Sequence, residues 1–260
     1  MTTKTHQLSV KANAAKPRKG LGRPAGVSNV REQILDTAEI DFADRGYAGT
    51  SLREISNAAG VTQALITYYF GTKQQLFEQV FLRRALFISS ERMRLLHELR
   101  QTSSQVTLEQ VVCTFLEPML ELRQSAGGKA FIRLHARLHT EPPEISYPLR
   151  SQAYDESMQA YIQALQAALP DLPAKDIYWR ATLMVGAYLY AFSDAHRLEV
   201  LSKGACNPDD ERETFNQLLS FIMGGLQAPI RPLPDADIAK QAPKKRAPAK
   251  KAARPGTPKK

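Results

Sequence analysis

The chain has 260 residues, 43% of them hydrophobic, a formal net charge of +9 and two cysteines. That length supplies a sizeable core for one large or two modest domains, and the composition is ordinary for a soluble globular protein. Cys113 and Cys206 make no disulfide framework, and no apolar signal core follows the charged N-terminus. The most apolar run, residues 181–192, is about half of the ~20 residues needed to cross a bilayer. A membrane partner is therefore excluded, and a cytoplasmic location in a reducing compartment is expected.

The positive charge lies at the two ends. Residues 1–28 carry six basic side chains and no acid. Residues 233–260 carry nine against Asp235 and Asp237, which leaves the body between at a net charge of −4. Basic ends on a mildly acidic body point to a polyanionic partner. Residues 1–28, rich in Lys, Ala, Pro and Gly, have the composition of a disordered arm. Within it Arg23 stands in a Gly-Arg-Pro core behind Arg18-Lys19. Such a segment can lie in a narrow minor groove, and the alternative is a solubilising tail without a fixed contact.

A first helix is expected from about Ser28 to Arg45, with Ile34, Leu35, Ala38, Phe42 and Ala43 facing the core. Asp36, Glu39, Asp41 and Asp44 then form an acidic outer face that would repel phosphate, read here as solvated surface. Ser51 is an N-cap candidate with Glu54 at the capping-box position, and Leu52, Ile55 and Ala59 give the second helix its apolar side. Gly60 can take the left-handed conformation that ends a helix. Thr62 caps a third helix in which Leu65, Ile66, Tyr69 and Phe70 form a buried stripe, while Gln63, Ala64, Thr67 and Tyr68 face outward. Gly71 closes that helix, and Thr72 with Gln75 forms a second capping box. Helix, glycine turn and short helix is the pattern of a helix-turn-helix, in which the first helix braces the second for entry into a major groove. Periodicity alone leaves an ordinary helical hairpin open.

Residues 31–77 resemble the DNA-binding domain of TetR-type transcriptional regulators. The matching elements are Phe42–Tyr47, Thr50-Ser51-Leu52-Arg53-Glu54-Ile55, Ala59-Gly60-Val61-Thr62, Tyr69-Phe70 and Lys73. The sequence departs at Thr67, where the family often has tyrosine, and at Tyr69, where it often has histidine. The resemblance implies double-stranded operator DNA as partner. The DNA contacts it implies are Arg23, Thr50, Ser51, Arg53, Thr62, Gln63, Ala64, Leu65, Thr67, Tyr68, Tyr69 and Lys73. It also implies a larger C-terminal domain that binds a small molecule and holds a dimer.

Helix 4 is expected from Thr72 to about Leu99, mixing apolar positions with Arg83, Arg84, Arg92 and Arg94. A helix over 107–123 should kink or break at Pro118. Gly127-Gly128 should break the chain before a helix at 129–140, and Pro142-Pro143 should end that one. Long helices follow at 144–169 and 174–201, then a loop at 203–209 and a last helix at 210–226. The helix at 174–201 is apolar on most of its circumference, and the last adds Phe215, Leu218, Leu219, Phe221, Ile222 and Leu226. A surface helix needs only one apolar stripe, so these two could pair with a symmetry mate, or simply be buried within one monomer. Polar candidates for an effector pocket are Arg133, His135, Arg137, His139, Tyr147, Tyr154, Trp179, Tyr190, Asp194 and His196. His135 and His139 share a spacing used by metal sites, but no third ligand accompanies them, so neither a metal nor a cofactor is expected.

The fold class is thus all-α. Residues 1–28 form a basic arm, 29–76 a helix-turn-helix domain and 77–227 an effector and dimerisation domain. Residues 228–260 form a Lys/Pro/Ala-rich tail. The function that follows is a ligand-responsive DNA-binding regulator, most simply a repressor. The competing reading is an architectural DNA-binding protein dominated by its basic tails. No nucleophile elbow, phosphate loop or dinucleotide fingerprint supports an enzyme.

Overall fold

Short polar residues placed just ahead of apolar periodic segments decide where the helices start. The computed structural model describes residues 25–193 and 195–230, and among them ten helices follow one another without a strand. They are α1 (Ala25–Arg45), α2 (Leu52–Ala58), α3 (Gln63–Phe70), α4 (Lys73–Thr102) and α5 (Leu108–Arg123). Then come α6 (Ala126–Leu138), α7 (Pro143–Ala168), α8 (Ala174–Ser193), α9 (Ala195–Leu201) and α10 (Glu211–Gln227). Ser51, Thr72 and Thr107 each close a full capping box with Glu54, Gln75 and Gln110. Each box satisfies two amide donors that a bare helix start would leave free. Residues up to Leu226 form one compact unit, and a second begins at Gln227, of which residues 227–230 are described.

The core of the first unit runs without interruption from Ile34 on α1 to Leu226 on α10. Helix α1 packs on both α4 and α6, α4 packs on α5 and α7, and α8 lies against α6 and α7. Phe42 meets Phe77 edge-on at 5.0 Å, and Tyr47 meets Phe77 at 5.2 Å, which ties the end of α1 to the start of α4.

Three expectations are corrected. The acidic face of α1 is not simply solvated: Glu39 is fully buried, with Arg84 and Arg83 donating to its carboxylate. Arg83 also reaches Asp36 at 2.8 Å and Glu32 at 3.2 Å. Helix α1 thereby lies on the arginines of α4, because opposite charges on packed faces replace lost hydration. Of the kink or break expected at Pro118, the break is absent: α5 runs through it as one helix. Gly127 and Gly128 do not break the chain either; they sit in the first turn of α6. Ser125 caps that turn by accepting from the Gly128 amide at 3.0 Å. A Cβ on Gly128 would lie 1.9 Å from the Leu122 carbonyl oxygen, so glycine is required by the tight α5–α6 corner. The single helix expected over 174–201 is described as α8 and α9, on either side of residue 194, which lies outside the described residues. No helix among the described residues is long and apolar enough to cross a membrane.

Candidate functional site

The surface most clearly built for recognition is the outer side of α3. Two residues anchor this helix: Ile66 and Phe70 are buried, Tyr69 is half-buried against the same core, and Leu65 is half-buried. Thr62 caps its start by accepting from the Leu65 amide at 3.2 Å. Gly60, at φ +65°, turns the chain from α2 into that cap without the steric cost a Cβ would incur. At its other end Gly71, at φ +75°, closes α3. What remains outside is Gln63, Ala64, Thr67 and Tyr68, with Tyr68 81% exposed. Its ring touches only the neighbouring Tyr69 ring, edge-on at 5.4 Å, among the ring contacts of the described residues. Ser51, Arg53 and Thr62 are exposed beside it. Glu54 accepts from the Ser51 amide at 2.8 Å and from its hydroxyl at 2.7 Å, and these bonds draw its carboxyl below the usual range.

Two residues expected on this surface are used differently. Thr50 is buried, its hydroxyl shared between the Gly46 carbonyl at 2.9 Å and the Asp41 carbonyl at 3.1 Å. Its side chain locks the turn after α1 and has no face left for DNA. Lys73 donates to the Tyr47 and Thr50 carbonyls at 2.8 and 3.0 Å, with its ammonium 4.3 Å from the Tyr47 ring centroid. An ammonium has three N–H groups, so two are spent on holding α4 to that turn. Arg23 lies outside the described residues.

The expected effector residues separate into two groups. Arg133 and Arg137 point out from α6 and grip the end of α1. Arg133 pairs with Asp44 at 2.9 Å, and Arg137 donates to the Asp44 carbonyl at 2.8 Å. Glu141, just beyond α6, accepts from the Tyr47 amide at 2.9 Å. His139 is exposed, with Nδ1 3.1 Å from Arg150. Trp179 and Tyr190 are 62% and 66% exposed on α8, outside the core in which they were placed by sequence. Asp194 lies outside the described residues. Only His135 and Tyr154 meet inside, buried with their rings stacked at 4.9 Å. Burial first, then the charge of Arg92, holds the His135 imidazole well below its ordinary pKa, and burial lifts the Tyr154 phenol well above its own.

Arg92 is the member of this cluster that the sequence reading passed over. It was counted among the basic residues of α4, yet it follows Phe81, Ala85 and Ile88 and precedes Leu96 at spacings of three and four. That register places it on the buried face.

Comparison with known proteins agrees with this architecture. Residues 34–80 match the family model described as "Bacterial regulatory proteins, tetR family", and residues 114–225 match "Tetracyclin repressor-like, C-terminal domain". The chain is 37% identical over 54 residues to the "Probable acrEF/envCD operon repressor" of Escherichia coli, 21% of this chain and 24% of that one. It is 22% identical over 126 residues to the icaADBC negative transcriptional regulator of Staphylococcus aureus, 48% of this chain and 62% of that one. It thus spans about a quarter and under two thirds of these relatives' lengths. A TetR-like transcriptional regulator from Rhodococcus sp. RHA1 shares the fold with a TM-score of 0.53 at 19% identity, covering 77% of this chain and 97% of that one. With a reading helix mounted on a larger helical body and both parts matched in chain order, the protein belongs to the TetR family of bacterial regulatory proteins.

Proposed function

We propose that this protein is a ligand-responsive transcriptional repressor. Two copies pair and present their α3 helices to successive major grooves of an operator. Occupation of the helical body by a small molecule then ends the fit. The observation that carries the reading is α3 itself: capped, anchored through Ile66 and Phe70, and displaying Gln63, Ala64, Thr67 and Tyr68 to solvent. Ser51, Arg53, Thr62, Leu65 and Tyr69 frame that contact surface. Arg23 adds a minor-groove contact, and Lys73 keeps one N–H for phosphate.

Pairing is supported by the apolar side chains that α8 and α10 leave exposed, above all Leu183, Tyr190 and Phe221, of which Leu183 and Phe221 line a groove of ≈ 400 Å³ between the two helices. Release is supported by the grip of α6 on the end of α1. A molecule that shifts α6 moves Arg133, Arg137 and Glu141, and with them the base on which α3 stands. Its affinity for the two arrangements must differ for any shift to follow.

The test is Tyr68→Ala, measured on a duplex selected from a random library by the unaltered protein. Operator affinity should fall by roughly tenfold or more while dimerisation and helicity persist. Unchanged affinity would overturn the assignment of α3.

A further inference from the structure

Among the buried polar atoms of the helical body that lack partners, three belong to one aromatic-lined cluster, and one of these carries a permanent charge. Arg92 on α4 is 2% exposed. Its Nε donates to the Phe115 carbonyl at 2.9 Å. Its guanidinium carbon lies 3.6 Å from the Phe115 ring centroid and 5.5 Å from that of Tyr188. Nη2 nevertheless has no hydrogen-bond partner, and among the described residues no carboxylate pairs with Arg92. His135 Nδ1 on α6 and Tyr154 Oη on α7 are also buried without a partner. The rings connect the group: His135 stacks on Tyr154 at 4.9 Å and lies 6.5 Å from Tyr188.

A buried arginine stays protonated, and an unpaired ion in a low-dielectric core is costly. Glu39, a fully buried carboxylate, is met by two arginines, whereas Arg123, 4% exposed, has like Arg92 only a carbonyl (Pro208) and an aromatic face (Phe192); Arg92 differs in having the unpartnered His135 and Tyr154 beside it. Water at Arg92 would satisfy the donors but leave the charge unbalanced. At neutral pH the cluster holds one cation and two neutral side chains, since burial opposes both the charging of His135 and the ionisation of Tyr154. One cation with neutral donors suits a monoanion that offers two oxygens. A phosphate monoester would bring a second negative charge with no second cation to meet it. The side chains packed around the cluster are aromatic, Phe81, Phe115, Phe131 and Tyr188, so the rest of the occupant is apolar.

We propose that Arg92, His135 and Tyr154 receive the carboxylate of an apolar monocarboxylic acid, and that this class of compound is the effector. The assignment rests on the reading of the chain as a ligand-responsive regulator. It also supplies the mechanical step. The three unpartnered atoms are sealed from solvent, so admission of the acid parts α6 from α4 and α7. Helix α6 is the one whose outer face holds Asp44 through Arg133 and Arg137.

The experiment uses the full chain and a panel of monocarboxylates, from acetate to decanoate with benzoate, each beside its primary alcohol and its phosphate monoester. Melting temperature and affinity for the selected operator are read for the unaltered protein, and melting temperature for Arg92→Met and Arg92→Lys. At least one carboxylate should raise the melting temperature and weaken operator binding by roughly tenfold, with no response to its alcohol or phosphate. Arg92→Met should lose that thermal shift and Arg92→Lys keep part of it, and without additive Arg92→Met should melt above the unaltered protein. The proposal is overturned if no carboxylate acts, if an alcohol or phosphate acts as well, or if Arg92→Met keeps the response or melts lower. Operator binding without additive is read separately: its absence would fail the regulator reading itself, whereas its presence with a silent panel fails only the carboxylate site.

Discussion

Glu39 and Arg92 are both ionised side chains on the inward face of a helix, and they differ in what meets them. The first is enclosed by Arg83 and Arg84, while the second has only a carbonyl and aromatic faces. Each is legible in principle from its spacing among apolar neighbours, but the acids of α1 read as solvated surface and Arg92 receives no face from the sequence. His135 adds a pH dependence with a definite sign. Its folded-state pKa is depressed, as is that of His139, so below about 6.5 the unfolded chain binds protons that the folded chain refuses. Stability is therefore full above that value and lost as the solution is acidified. For a fully excluded His135 the loss is about 1.4 kcal/mol per pH unit. Arg92 from α4, His139 from the end of α6, Arg150 and Tyr154 from α7 and Tyr188 from α8 face the same ring. Carboxylates such as Glu54, held below the ordinary range by the Ser51 hydroxyl and amide, contribute only at lower pH. Urea unfolding followed from about pH 7 to pH 5 should show this slope, and His135→Phe should flatten it; equal slopes in both proteins would refute the burial argument.

Local signals carried the helices well where the partner groups are close in sequence. The boxes at Ser51 and Thr72 were readable because each partner sits three residues away. The turn after α1 was not, since Thr50 bonds carbonyls four and nine residues back and Lys73 reaches carbonyls 23 and 26 residues back. Gly127-Gly128 was misjudged for a related reason: glycine was taken as a break, whereas the α5–α6 corner needs a missing Cβ. Gly128→Ala should therefore destabilise the protein by roughly 1–3 kcal/mol, because the nearest atom is backbone and cannot swing aside. Chemical denaturation would decide it, and an unaltered midpoint would mean that the corner yields without cost.

For the molecule as a whole, an all-α class and a reading head near the N-terminus were plain from the sequence. The division of polar residues between the inside and outside of the body was not. Periodicity gives a face, but only packing tells which face is covered, and Trp179 and Tyr190 proved to lie outside. They share α8 with Leu183, across the groove from Phe221, which is 72% exposed. If that face is where two copies meet, placing a carboxylate at its centre should separate them. Leu183→Asp combined with Phe221→Asp should sediment as a monomer that retains its helicity and binds the selected duplex at least roughly tenfold more weakly. A dimer that survives both changes would place the pairing surface elsewhere.

The alternation along α6 has a consequence for engineering. Positions 133 and 137 look outward to the reading head, and position 135 between them looks inward. With the proposed carboxylate site, sensing and transmission would lie on opposite sides of a single rod. Chemical preference can be re-aimed by exchanging residues 92, 135 and 154 as a set, with the outer grip left in place. A biosensor for uncharged compounds would start from that triple exchange.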